Sequence, residues 1–154
     1  MILSHLLRSE AIRVVPSASS KKRLFHLIAE IGEEVYGLPA EAAIEALLER
    51  ENLGPTGVGN GVALPHARLD GCEKVHGVFL RLVKPLDYGA PDRLPVDLFF
   101  GLFAPSDAGV DHLKALASVS RTLRDADLCA RLRANDEVNA IYALLTEPTA
   151  THAA

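Results

Sequence analysis

The chain has 154 residues, 49% of them apolar, a formal charge of −4, two cysteines and no tryptophan. That length suits one domain around a single core, no apolar run approaches the roughly 20 residues of a spanning helix, and the acidic balance without a basic stripe argues against a nucleic-acid partner. Cys72 and Cys129 lie far apart, as in a reducing compartment, and "MILSHLLRSE" has no basic leader or cleavage site, so a cytoplasmic protein with no membrane insertion is expected.

In chain order, "SASSKKRLFHLIAEIGEEVYG" opens on capping serines and carries Leu24, Leu27, Ile28, Ile31 and Val35 at helical spacing before Gly37, which predicts a helix. The run Lys21 to Arg23 within it reads as a solvated face with no further role. "LPAEAAIEALLERENLG" predicts a second helix beside the first, with Pro39 in its first turn and Ala43, Leu47 and Leu48 on one face. Glycines at 54, 57, 59 and 61 then exclude a helix, and "VALPHA" reads as a short strand that Pro65 ends or bends. "HGVFLRLVKPLDYG" and "LPVDLFFGLFAPSD" predict strands, the second apolar at nearly every position, as in a central strand buried on both faces. "DAGVDHLKALASVSRTLRD" predicts a helix with Leu113, Leu116, Ser120 and Leu123 on one face. Two short helices follow, "DLCARLRAN" and "DEVNAIYALLTE", the second capped by Asn135 or Asp136. Residues 148–154 read as a flexible tail behind one domain over 1–147. This order of elements predicts an α/β domain whose central sheet has helices on both faces.

The glycine-rich stretch "GPTGVGNGVALPHARLD" raises a nucleotide reading that its details remove. A Walker A loop needs Lys and Ser or Thr after its last glycine, and the dinucleotide fingerprint needs a third glycine where Val62 stands. With no HExxH pair, and Cys72 and His76 forming only half a ligand set, neither a metal nor a cofactor is expected. Cys129 reads as core, and Cys72 as a loop cysteine open to solvent.

His66 remains. An isolated histidine at a strand end commonly satisfies one hydrogen bond and does nothing more. Pro65, however, restricts the backbone on both sides of its peptide. An imidazole with one nitrogen held and the other bearing a lone pair can accept a phosphoryl group. Gly57 and Gly59 either form an ordinary turn or offer backbone N–H groups to an anion, with Thr56 and Asn60 as added donors. His112, near the start of its helix, and Arg50, near the end of the second, are further candidates for holding phosphate. Each also has an ordinary reading, as a solvent-facing histidine and as a complement to the helix dipole.

"GPTGVGNGVALPHA", preceded by "LLERENL" and followed by "PVDLFFGLFAPSDAGVDHLKALASVSRTL", resembles the IIA proteins of the phosphoenolpyruvate-dependent phosphotransferase system. The likeness is to the fructose/mannitol-type superfamily and, within it, to the nitrogen-regulatory branch. It implies a mixed central sheet flanked by helices, with His66 as acceptor of a phosphoryl group from an HPr-like carrier and Arg50 and His112 supporting it. Ala67 departs from the glycine that many relatives carry after the Pro-His pair, and leaves the reacting atoms alone. The resemblance also implies regulated targets such as a kinase or transporter linked to nitrogen and potassium. The absence of IIB and IIC segments favours the regulatory branch over a sugar-specific component that passes phosphate to a IIB domain. A binding module without phosphorylation is the remaining alternative. Val58, Leu113 and Leu116 are either core or an apolar docking patch beside the site.

Overall fold

The computed structural model describes residues 3–147, so the tail expected at 148–154 lies outside the described residues. A short 3-10 turn, Leu3–His5, leads into β1 (Leu7–Val15), α1 (Lys21–Tyr36) and α2 (Ala40–Leu53). Then come β2 (Gly57–Gly59), β3 (Val62–Ala63), β4 (His66–Leu69), β5 (His76–Leu86) and β6 (Val96–Pro105), and finally α3 (Val110–Leu123), α4 (Ala126–Arg133) and α5 (Val138–Thr146). The sheet order is β1-β5-β6-β3-β2, with β4 also on β6. Pairing is mixed: β1 runs parallel to β5, β5 antiparallel to β6, and β3 and β4 parallel to β6.

β6 organises the core. Every residue from Leu98 to Ala104 is buried, so neither face of this central strand meets water, as a continuous apolar run demands. Gly101 gives Ile28 of α1 its place, since a Cβ there would lie 2.9 Å from Ile28 Cγ2. On the opposite face Gly77 makes room for the Phe100 ring, 2.7 Å from where its Cβ would stand. The expected α/β architecture with helices on both faces is therefore present.

Pro65 splits the predicted strand rather than merely ending it. Lacking an N–H, it interrupts the ladder, while its carbonyl accepts Leu102 N–H at 3.0 Å. The chain resumes pairing at once, with His66 opposite Leu102.

Four expectations need correction. β1 replaces the N-terminal stretch to which no element was assigned; its alternation is broken by a register shift between Leu7 and Ile12. The buried face of α3 is His112, Ala115, Ser118, Val119 and Leu123, while Leu113 is exposed. α5 is capped by Glu137, the residue before Val138, whose carboxylate accepts from Asn139 and Ala140 N–H, while Asp136 pairs with Arg81. Cys72 is buried, its Sγ donating to the Lys74 carbonyl; Cys129 is core, as expected.

Candidate functional site

Arg50 stands in the last turn of α2, where its Nη1 donates to the Gly54 carbonyl at 3.0 Å, complementing the helix end. The same guanidinium turns its Nε–H to His66 Nε2 at 3.2 Å. The other ring nitrogen, Nδ1, lies 2.8 Å from the Leu64 carbonyl oxygen. A carbonyl only accepts, so Nδ1 carries the proton and Nε2 the lone pair. Both contacts thus select one tautomer and fix the plane of the ring.

His112, in the first turn of α3, brings a second imidazole to within 5.4 Å of the first, centroid to centroid, at 71°. It is 5% exposed, and its Nε2 is buried without a hydrogen-bond partner. Burial, followed by the charges of His66 and Arg68, pushes its pKa down to about 4. Burial likewise lowers His66, helped by Arg50; the Leu64 carbonyl and Glu51 oppose the shift. Both rings are neutral at pH 7.

These groups line a cavity of about 750 Å³ that also exposes Arg68, Leu53, Leu113 and Leu116. The structure therefore brings together Arg50, His66 and His112. Thr56, Gly57, Gly59 and Asn60 do not line this cavity. Asn60 and Gly61 both have positive φ, 56° and 79°, and form the turn of the β2–β3 hairpin, the geometry that Asn-Gly favours. Gly57 is needed for close approach, as a Cβ there would meet Ala90 Cβ at 2.9 Å. The Asn60 N–H is taken by Asp92. The glycines thus build a hairpin and offer no row of N–H groups to an anion at His66. Val58 is exposed but borders another cavity, with Asn60 and Arg133.

Thr56 is buried, its hydroxyl donating to Glu51 Oε1 at 2.6 Å and lying 2.8 Å from the Tyr88 hydroxyl. Lys21, read from sequence as merely solvated, pairs with Glu51 at 2.8 Å and sits 4.2 Å from the Tyr88 ring centroid. Arg68 is a charged cavity residue that sequence reasoning missed, as it missed Glu49 and Leu53. Its position two residues beyond His66 was the available signal, since alternate residues of a strand share a face. Glu51, Tyr88 and Lys21 had none, because only the fold brings them together.

Among the described residues no cluster of three or more His, Cys, Asp or Glu side chains is placed to hold a metal. No helix among them is long and apolar enough to cross a membrane.

A mixed sheet with two facing imidazoles and an arginine at one cavity defines an α/β domain whose site is built on histidine. Residues 5–147 match the family described as "Phosphoenolpyruvate-dependent sugar phosphotransferase system, EIIA 2", and the chain belongs to it. It is 46% identical over 153 residues to a "Nitrogen regulatory protein" of Bradyrhizobium diazoefficiens, covering 99% of this chain and 100% of that protein. It is 36% identical over 107 residues to a "PTS system fructose-specific EIIA component" of Haloferax volcanii, covering 70% of each. The crystal structure of nitrogen regulatory protein IIA-Ntr from Neisseria meningitidis superimposes with a TM-score of 0.87 at 33% identity, covering 94% of this chain and 99% of that one.

Proposed function

We propose that the protein is a cytoplasmic phosphocarrier that takes a phosphoryl group on His66 Nε2 from a phosphohistidine of an HPr-like carrier, and that its phosphorylation state regulates nitrogen- and potassium-related targets, such as a kinase or transporter. The observation that supports this reading best is the held tautomer: Nδ1–H is tied to the Leu64 carbonyl and the Nε2 lone pair points at Arg50 beside the cavity.

In the transfer, the Nε2 lone pair forms a new N–P bond while the donor's N–P bond breaks and its electron pair returns to the donor's ring nitrogen. No proton leaves His66, since Nδ1–H stays on Leu64 and that carbonyl stabilises the positive charge gained by the ring. As phosphorus arrives, the Arg50 Nε–H moves from Nε2 to a phosphoryl oxygen, its Nη1 remaining on Gly54. The neutral His112, whose Nε2 has no partner, donates to a second oxygen. Catalysis here is positioning and charge stabilisation. Arg68 adds positive charge at the mouth.

The regulatory role is supported by the Bradyrhizobium nitrogen regulatory protein, to which identity is higher over more of the chain than to the fructose component. A sugar-specific role would instead require rapid loss of phosphate to a IIB partner. Incubation with phosphoenolpyruvate, enzyme I and an HPr-type carrier, followed by intact mass, tests the acceptor. An acid-labile phosphate is expected in the wild type and not in His66→Ala; equal uptake by both removes His66 from the role.

A further inference from the structure

We propose that Glu51 is a positioning residue for phosphoryl transfer, holding both partners of the His66 ring through one buried staple to Thr56. The proposal rests on the reading of His66 as acceptor.

The Glu51 side chain is 6% exposed and receives four donors. Oε1 accepts the Thr56 hydroxyl at 2.6 Å and the Tyr88 hydroxyl at 3.1 Å. Oε2 accepts the Thr56 N–H at 3.1 Å and Lys21 Nζ at 2.8 Å. Its backbone carbonyl accepts Gly54 N–H at 3.2 Å. One residue therefore ties the end of α2 to the turn that leads into β2. Burial raises the pKa of this carboxyl, but Lys21 and Thr56 outweigh that and hold it below the usual range, so it is ionised at neutral pH.

From this staple two branches run to the imidazole. Along the chain, the neighbouring residue is Arg50, which donates to His66 Nε2 and to the Gly54 carbonyl. Through space, the Thr56 carbonyl accepts Leu64 N–H at 2.9 Å, and the Leu64 carbonyl holds His66 Nδ1. The two nitrogens of the ring are thus fixed by groups that meet again at Glu51 and Thr56. A carboxylate that only neutralised Lys21 would not need both Thr56 donors. Loosening the staple frees the distance between α2 and the 64–66 segment, and with it the alignment of Nε2, Arg50 and the incoming phosphorus.

Glu51→Gln keeps an acceptor for the Thr56 hydroxyl but loses the charge and one of the two Thr56 bonds. The rate of phosphoryl uptake at saturating carrier is expected to fall about ten- to a hundredfold, as misplacement of reacting groups does. The carrier KM should stay within about twofold, since the carrier does not touch this buried group. Nitrogen-15 spectra of His66 should change from the single Nδ1–H tautomer to a mixture. Ile141→Val, in the core away from this network, is the matched control: it lowers the urea midpoint with uptake and ring spectrum unchanged. If Glu51→Gln folds and keeps both the wild-type rate and the wild-type ring spectrum, the proposal is overturned. Should that variant not fold, Thr56→Val, which removes the hydroxyl and keeps the backbone N–H, is judged by the same two readouts. If the wild type takes up no phosphate on His66, the functional reading has failed, and the ring spectra alone decide whether Glu51 positions the imidazole.

Discussion

Burial of His112 makes its protonation expensive. Its pKa stands near 4 in the folded protein against about 6.5 for an unfolded histidine. Between those values the unfolded chain binds a proton that the folded one does not, so this contribution to stability is complete above pH 6.5 and is lost as the pH falls towards 4. The loss is on the order of 3 kcal/mol. Denaturant unfolding of the wild type and His112→Phe at pH 7.5 and 4.5 measures it: the wild type should lose more stability than the variant across that interval. Equal losses would mean that His112 binds its proton in the fold as readily as in water. At this scale the three side chains that meet at the cavity, Arg50, His66 and His112, were legible as candidates because each announces itself locally, His66 by the proline before it, Arg50 by its helix end and His112 by its helix start. The surroundings of Gly57 and Gly59 were not, since the residues alone leave a turn and an anion nest equally open, and the structure gives a hairpin turn with positive φ at Asn60 and Gly61. Thr56 faces Glu51 and Tyr88, a contact between segments that no local pattern contains.

Elements were readable where one physical demand dominated. β6 needed no partner to be recognised, because the apolar run from Leu98 to Ala104, short and flanked by Pro95 and Pro105, suits a strand covered on both faces. β1 escaped because Arg8, Glu10 and Arg13 interrupt it and its pairing with β5 shifts register between Leu7 and Ile12, which removes the alternation that marks a half-buried strand. α3 was recognised, but its buried face was not. Leucines at helical spacing left core and surface patch both open; small residues, Ala115 and Ser118, pack inward beside Val119, and Leu113 is left at the cavity rim. Close packing between elements gives a prediction at β5. Gly77→Ala places a methyl 2.7 Å from Phe100 Cε1, with the Leu6 carbonyl 3.4 Å away, and Phe100 is fully buried in the strand at the centre of the sheet. Overpacking of this kind costs about 1–3 kcal/mol. A lowered urea midpoint with an unchanged m-value is the expected result; a variant as stable as the wild type would show that the Phe100 ring has somewhere to go.

At the scale of the whole molecule, the net charge of −4 conceals a different local balance, for Arg50 and Arg68 outweigh Glu49 around the cavity by one charge. A phosphoryl group on His66 would add roughly −1.5 to −2 on its oxygens, offset in part by the positive charge gained by the ring, and cancel most of that excess, so a partner that reads this face meets two different surfaces. The face is also apolar at its rim: Leu53 is 84% and Leu113 63% exposed, both lining the cavity. Side chains so placed add nothing to the core, and desolvating them against a carrier is the favourable term available for docking. Leu113→Asp separates docking from chemistry. Its stability should stay within about 0.5 kcal/mol of the wild type, as for other exposed positions. Its kcat/KM for phosphoryl uptake from the carrier should fall about tenfold, nearly all of it in KM, because a rim contact is the same in the bound complex and in the transition state. A fall in the rate at saturating carrier instead would mean that Leu113 helps to place His112, one residue before it, rather than the partner.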